Sequence, residues 1–186
     1  MVIQYQPIKD ALKTIKSDKC YFLTPQGKTL NQKKLINLSK EKNITLLCGR
    51  YEGVDQRVID NLVDEEISIG DYVLSGGELP AAIIIESVTR LLQGAAEDID
   101  SIHNDSFYNG ILDHPHYTKP EIIDNISVPD ILLSGNHREI ALWRRKQALG
   151  LTFVKRPDLL KNVKLTKEDD RLLQEFITEL KAKKDE

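Results

Sequence analysis

The feature that most constrains this chain is a pair of short apolar runs, each of which breaks into a turn rich in glycine. The first run, residues 45–49, leads into 50–57, and the second, residues 66–69, leads into 70–80. A helical pattern follows each turn. Open α/β folds bind ligands at the carboxyl ends of parallel strands, in loops of this kind. The pattern therefore predicts an α/β fold with a ligand site made of neighbouring strand-end loops.

Glycine is concentrated in these loops. Half of the chain's ten glycines lie there: Gly49, Gly53, Gly70, Gly76 and Gly77. A glycine can adopt positive φ and lets a ligand touch the main chain. Each one alone is explained by a tight turn, but the cluster favours loops that contact a ligand. Neither a GxGxxG nor a P-loop pattern occurs, so a dinucleotide fingerprint and a P-loop are both without support.

Strand candidates alternate with helical patterns in the first half of the chain. The strand candidates span residues 20–23, 44–48 and 67–69. The helical patterns span residues 8–15, 31–42, 54–62 and 79–93. This alternation predicts a parallel sheet with right-handed crossovers. Ser75 and Glu78 form a capping-box pattern for the last helix, and Gly94 is its predicted C-cap.

The character of the sequence changes after Gly94. Residues 95–104 are acidic and lack helical periodicity, which predicts a linker or mobile loop. Residues 113–129 contain three prolines and no long helical pattern. Helices are predicted at 136–149, with Gly150 as its stop, and at 159–163 and 168–181. The expected division is a first domain at 1–96, a flexible linker at 97–112 and a small, mostly helical C-terminal domain at 113–186.

Composition points to a cytoplasmic protein without a membrane association. The sequence has no run of 18 apolar residues and no secretory signal at its N-terminus. Cys20 and Cys48 lie in apolar runs, which predicts buried, reduced thiols. The net charge of −3 argues mildly against a nucleic-acid partner. Basic residues are nevertheless concentrated between residues 138 and 164.

Several segments together resemble one known family. They are residues 23–27, 47–57, 69–80, 104–107, 112–120 and 135–145. In collinear order they resemble the bacterial tRNA (guanine-N1)-methyltransferases that modify guanosine 37, and the similarity spans nearly all 186 residues. That family belongs to the SPOUT class of trefoil-knotted methyltransferases. The resemblance implies a parallel-sheet SPOUT domain followed by a helical domain that binds tRNA.

The resemblance implies S-adenosylmethionine as the methyl donor, cradled by the backbone of three glycine-bearing loops. Apolar contacts from Leu23, Ile69, Leu74 and Pro80 would suit its adenosyl group. Thr24 stands where the family usually has serine, which keeps the hydroxyl. The implied donor-binding residues are Phe22, Leu23, Thr24, Pro25, Gln26, Gly49, Tyr51, Glu52, Gly53, Ile69, Gly70, Tyr72, Leu74, Gly76, Gly77 and Pro80.

Methylation of guanine at N1 requires that this nitrogen lose its proton, and a carboxylate can act as the general base. The resemblance assigns that role to Asp105. A cation near O6 would stabilise the charge that develops, and the resemblance assigns that role to Arg90. From the residues alone, Asp105 is a loop carboxylate and Arg90 a solvated surface charge.

Metal use is implied only weakly. The family is associated with Mg²⁺, and Glu52 is the residue that would help to place the donor or an ion. The sequence shows no metal-ligand cluster. His114, His116 and Tyr117 predict a structural or RNA-facing turn, because they lack the spacing of a zinc site.

The resemblance also implies a homodimer whose active site forms across two chains, and a C-terminal part that grips the tRNA anticodon arm. Trp143, Arg144 and Arg145 are candidates for that grip, although Trp143 better suits a core position with the arginines outward. The family normally carries a further N-terminal segment before the equivalent of Met1. We therefore hold two alternatives open: a non-catalytic tRNA- or donor-binding remnant, and an α/β ligand binder without an RNA partner.

Overall fold

A computed structural model describes residues 1–95 and 99–182 of the chain. Its contacts divide the chain into two compact units, Met1–Ile102 and His103–Glu186. The start of the expected linker, residues 97 and 98, lies outside the described residues. Among the described residues, none of the helices is both long and apolar enough to cross a membrane.

The first unit contains a three-stranded parallel sheet. Its strands are β1 Lys19–Thr29, β2 Ile44–Cys48 and β3 Glu65–Ser68, in the order β2-β1-β3. The predicted parallel sheet is thus confirmed. Strand β1 is longer than the predicted residues 20–23, because residues 24–27 form an irregularity in its pairing with β3 and the strand resumes after them.

Helices alternate with the strands of this sheet, and side chains from two of the helices bury its apolar residues. They are α1 Tyr5–Thr14, α2 Gln32–Leu38, α3 Gln56–Leu62 and α4 Glu78–Thr89. Tyr21, Leu23 and Ile67 lie in one buried cluster with Leu38 of α2 and Ile84 of α4. Successive residues of a strand face opposite sides of the sheet. The strand side chains that face the helices therefore form a packed core, and the loops that follow the strands extend from this core.

Both cysteines are free thiols, as predicted. Cys20 is buried and Cys48 is half-buried. Burial raises the pKa of both thiols, and the nearby carboxylates of Asp64 and Glu78 add to the effect. Both sulfurs are therefore held in the protonated form at neutral pH.

The ends of α4 differ from the prediction. The N-cap is Gly77, without a side-chain capping bond, so the predicted capping box of Ser75 and Glu78 was wrong. The Glu78 carboxylate instead accepts a hydrogen bond from Arg50 Nε at 2.7 Å. The helix ends at Thr89 rather than at residue 93. In the turn that follows, backbone hydrogen bonds join residues three apart, as in a 3₁₀-helix, instead of four apart.

The segment before the second unit's helices contains two elements that the sequence analysis did not predict. Helix α5 Ile99–Asn104 lies in the acidic stretch that was expected to be irregular, where six residues are too few to show a periodic pattern. A hairpin of β4 Ile122–Ile123 and β5 Ile126–Ser127 lies in the proline-containing stretch. Its turn residues, Asp124 and Asn125, both have positive φ, as a two-residue hairpin turn requires.

The helices of the second unit form its core. They are α6 Asp130–Leu133, α7 His137–Lys155, α8 Pro157–Leu160 and α9 Lys167–Ala182. Asn136 caps α7 by accepting a hydrogen bond from the Glu139 amide at 3.3 Å. Leu149 of α7 and Leu172 and Leu173 of α9 pack in one buried cluster.

Gly150 does not end α7, so its predicted role as a stop was wrong. The helix continues for five more residues, to Lys155. A Cβ on Gly150 would collide with the aromatic ring of Phe176 on α9. The glycine therefore serves the close crossing of α7 and α9, and this packing outweighs the intrinsic cost of glycine in a helix.

Candidate functional site

A cavity of about 320 Å³ lies at the carboxyl ends of the three parallel strands. Its size is typical of a small-molecule site. All sixteen residues that the resemblance assigned to donor binding line this one cavity. The structure adds five lining residues that the sequence analysis missed: Arg50, Ile67, Ser68, Val73 and Ser75. Each of them belongs to a strand end or loop already singled out, so their position in those segments was the available signal.

The loop after β2 and the turn before α4 are joined by their backbones. The Gly77 amide donates to the Gly49 carbonyl at 3.0 Å, and Arg50 pairs with Gly76 in an antiparallel bridge. Arg50 and Glu78 add a side-chain ion pair. The hydrogen bond from Arg50 lowers the pKa of Glu78. Two of the three glycine-bearing loops are thereby held side by side.

The N-terminal segment supports the same loop from another direction. The Ile3 amide donates to the Gly53 carbonyl at 2.9 Å, and the Asp55 amide donates to the Ile3 carbonyl at 2.9 Å. The Glu52 amide donates to the Met1 carbonyl at 3.2 Å. These bonds fix the backbone on either side of Gly53, whose φ of +117° is a conformation that favours glycine.

Asp55 anchors the far end of this loop to α3. Its carboxylate accepts hydrogen bonds from the Arg57 amide and from the Arg57 guanidinium. The guanidinium and then the backbone amide lower the pKa of Asp55 to about 2. The carboxylate is therefore ionised at neutral pH and acts as a helix N-cap.

The remaining walls come from the ends of β1 and β3. Thr24 Oγ1 accepts from the Gln26 amide at 3.3 Å, which shapes the irregularity after Leu23. Ser68 Oγ accepts from the Gly70 amide at 3.1 Å, and the Tyr72 hydroxyl donates to the Ile69 carbonyl at 3.3 Å. Side-chain oxygens thus organise both turns, and main-chain groups remain at the cavity surface.

The cavity offers main-chain polar groups, apolar walls and few charges. Phe22, Leu23 and Pro80 are buried and form its apolar side. Arg50 and Glu52 are exposed and supply charge at the cavity. Such a site suits a small molecule with both apolar and polar parts.

The two predicted catalytic residues lie outside these loops. Arg90 is the exposed C-cap residue of α4 in the first unit. Asp105 is half-buried in the second unit, where its carbonyl accepts from the Tyr108 amide at 3.3 Å. Both residues have interaction partners. Their catalytic roles stay predictions.

The candidates for gripping tRNA occupy three different environments. Trp143 is half-buried, with its ring 6.3 Å from the ring of Tyr117. Arg144 is exposed. Arg145 donates from Nε to Asp169 Oδ1 at 2.6 Å, and it therefore stabilises the crossing of α7 and α9. Of the three, Arg144 is best placed to meet an external phosphate.

Comparisons with known proteins agree on one family. A family model described as tRNA (Guanine-1)-methyltransferase TrmD matches residues 1–162. A protein of Vibrio campbellii named tRNA (guanine-N(1)-)-methyltransferase is 50% identical over 188 residues, covering 98% of this chain and 76% of its own length. A protein of the same name from Buchnera aphidicola is 55% identical, covering 92% of this chain and 66% of its own length. A third, from Vibrio atlanticus, is 49% identical.

The match covers most of this chain but not the full length of its relatives. The chain spans about three quarters of the length of the Vibrio proteins and 66% of the Buchnera protein. The family model alone covers well over half of the chain. On that evidence, this chain belongs to the tRNA (guanine-1)-methyltransferase family.

Proposed function

We propose that this chain is an enzyme that transfers a methyl group from S-adenosylmethionine to N1 of guanosine 37 in tRNA. The observation that carries the proposal is the single cavity lined by all sixteen donor-binding candidates, in a chain of this family. The named relatives are all methyltransferases, so the alternative of a non-catalytic remnant is without support.

The donor would lie against the three strand-end loops. Gly49, Gly53 and Gly77 line the cavity, and because they lack side chains they let the adenosyl group and the methionine tail come close to the main chain. The apolar wall would exclude water from the sulfonium, where methyl transfer takes place. A cavity of about 320 Å³ is at the lower end of the range that drug-sized ligands occupy.

Methyl transfer requires that guanine N1 lose its proton and that the methyl carbon exchange its bond to sulfur for a bond to N1. Asp105 takes the proton from guanine N1, and Arg90 stabilises the negative charge that develops on O6. The N1 lone pair then attacks the methyl carbon, and the sulfur keeps the electron pair of the broken bond. The products are N1-methylguanosine, S-adenosylhomocysteine and the proton held by Asp105.

The active form is proposed to be a homodimer in which the donor loops of one chain meet Asp105 of the other. Support comes from an apolar face beside the cavity, formed by Tyr72, Leu74, Leu79 and Ile83, which are 39–66% exposed. Large apolar side chains left at a surface in one patch mark an interaction site.

Other finer aspects of the proposal follow the family. The first unit is proposed to carry the trefoil knot of SPOUT enzymes, and the second to bind the tRNA anticodon arm in the cytoplasm. Mg²⁺ is proposed as an accessory ion near Glu52, since a carboxylate is a ligand type that this ion prefers. Chelating Mg²⁺ should then slow methyl transfer and leave the affinity for S-adenosylhomocysteine unchanged.

The decisive experiment offers the purified chain a tRNA transcript with guanosine at positions 36 and 37, together with methyl-labelled donor. Label should enter the transcript, and mapping should place it on N1 of guanosine 37. A matched transcript with adenosine at position 37 should remain unlabelled. Donor binding without any labelled tRNA would favour a non-catalytic binding protein. Loss of both donor binding and salt-dependent tRNA binding would contradict the assignment altogether.

A further inference from the structure

A compact group of three potential metal ligands lies in the second unit, in a part of the chain that the proposed methyl transfer does not use. Asp113, His114 and His116 each offer one ligand atom, and these atoms all lie within 4.8 Å of one another. The sequence analysis predicted no zinc site here because His114, His116 and Tyr117 lack the spacing of one, and it did not consider Asp113. The turn nevertheless brings all three side chains to the same point.

The distances within the group are close to those of a shared ion. His116 Nε2 lies 2.8 Å from Asp113 Oδ2, and His114 Nε2 lies 3.8 Å from Asp113 Oδ1. The two imidazole rings have centroids 4.5 Å apart. Ligand atoms that each lie about 2 Å from one Zn²⁺ are separated by roughly 3–4 Å, so small side-chain shifts suffice to close the site.

The backbone presents His114 in the tautomer that a metal requires. Its Nδ1 lies 3.0 Å from the Pro115 carbonyl oxygen. That oxygen can only accept, so Nδ1 carries the hydrogen and Nε2 keeps its lone pair. A carbonyl that fixes the second ring nitrogen in this way is a usual partner of metal-bound histidine.

The aspartate is held in place as well. Its Oδ1 accepts from the His114 amide at 2.6 Å. Its own amide donates to Ser106 Oγ at 2.9 Å. Ser106 directly follows Asp105, so an ion bound by Asp113 would also brace the loop that carries the proposed general base.

The group is sheltered on one side and open on the other. The side chains of Asp113 and His114 are 22% and 16% exposed, whereas that of His116 is 71% exposed. An ion held here would have three protein ligands and a free position for water or a further ligand. Two imidazole nitrogens and one carboxylate form a donor set that Zn²⁺ accepts and Mg²⁺ does not prefer.

We propose that Asp113, His114 and His116 form a binding site for one divalent transition-metal ion of the zinc type. None of the three residues lines the donor cavity, and none is the Glu52 proposed to hold Mg²⁺. It does not depend on the methyltransferase assignment, because its evidence is the donor set and its geometry.

The test is calorimetric titration of the full chain with Zn²⁺ after treatment with a chelator. We expect one ion per chain, and a loss of at least about tenfold in affinity in both His114→Gln and His116→Gln. His137→Gln is the matched control, since it removes a histidine that begins α7, and it should bind Zn²⁺ as the unaltered chain does. Zn²⁺ should also raise the melting temperature of the unaltered chain but not that of His116→Gln.

A second measurement keeps the proposal testable if a variant folds poorly. Crystals of the unaltered chain grown with Zn²⁺ should show one anomalous peak between Asp113, His114 and His116. A chain that binds no Zn²⁺, a peak at Cys48 or another place instead, or equal affinity in His116→Gln and the unaltered chain would overturn the proposal.

Discussion

Gly77 packs directly against the backbone of Cys48: a Cβ on Gly77 would lie 2.8 Å from the Cys48 Cα and 3.2 Å from the Gly49 nitrogen. The backbone of Gly77 itself, with φ −82°, is one that any residue can adopt. The restriction is therefore one of space alone. It fixes the distance between the end of β2 and the start of α4, which are two walls of the cavity.

Gly77→Ala should push these two walls apart. We expect the first unit to lose about 1–3 kcal/mol of stability and to bind S-adenosylhomocysteine at least tenfold more weakly. Calorimetry measures the affinity, and chemical denaturation measures the stability. Gly49→Ala is the comparison variant and should have the smaller effect, because its Cβ would meet the side chain of Phe22 at 3.1 Å and not the backbone. A smaller loss in Gly77→Ala than in Gly49→Ala would contradict the argument.

Asp105→Ala should severely slow methyl transfer and leave donor affinity unchanged, because the proposed base is not among the residues that line the donor cavity. General-base catalysis typically contributes about 10²–10⁴-fold, so the loss in kcat should fall in that range. Asp130→Ala, which removes another carboxylate of the second unit, should transfer methyl groups at the normal rate. If donor affinity falls together with activity in Asp105→Ala, the assigned role is wrong.

The Arg145–Asp169 ion pair should make the second unit sensitive to acid. The Arg145 guanidinium, and after it the hydrogen bonds from Thr166, lower the pKa of Asp169 to about 2. An ordinary aspartate has a pKa of about 3.9, so the pair stabilises the fold above pH 4 by about 2 kcal/mol and loses this as the pH falls from about 4 to about 2. Asp169→Asn should be less stable at pH 7, and its difference from the unaltered chain should shrink across that window.

Trp143 makes this measurement specific, since it is the chain's only tryptophan and lies in α7. Its fluorescence reports unfolding of the second unit alone. Asp158→Asn is the matched control, because it removes an aspartate from an exposed pair with Arg156. Exposed pairs contribute about 0–1 kcal/mol, so this variant should stay close to the unaltered chain. An equal effect in both variants would count against the importance of the Asp169 pair.

Gly150→Ala should destabilise the second unit by about 1–3 kcal/mol, because the added Cβ meets the Phe176 ring. In a Phe176→Ala background the same change should become neutral or stabilising, since alanine is preferred to glycine within a helix by about 0.5–1 kcal/mol. A double-mutant cycle followed by Trp143 fluorescence gives the sign of the change. The same penalty in both backgrounds would show that the ring is not the cause.

Patterns that repeat along the sequence predicted the first unit well. The parallel strands and the helices between them follow from local alternation of apolar runs and turns, and the glycine cluster marks the loops that line the cavity. The five missed lining residues, such as Ser68 and Val73, lie in the same segments. They reach the cavity because they neighbour the predicted residues along the backbone, and the type of side chain gave no separate signal.

The sequence predictions were wrong where a residue far away in the sequence determines the local structure. Glu78 looked like a capping residue, but Arg50, 28 positions away, takes its carboxylate. Gly150 looked like a helix stop, but the Phe176 ring requires a glycine there and α7 continues. No window of a few residues contains either partner. A different limitation hid the grouping of Asp113, His114 and His116. These residues are close in sequence, but their spacing alone did not indicate which way the turn would point their side chains.

The pairing of Ile3 with the loop around Gly53 has a practical consequence for anyone who expresses this chain. Residues fused ahead of Met1, such as an affinity tag, would leave the fold next to Glu52, whose amide is bonded to the Met1 carbonyl. A purification handle at that end would lie beside a residue that lines the cavity, so ligand affinities are best measured after the handle has been cleaved.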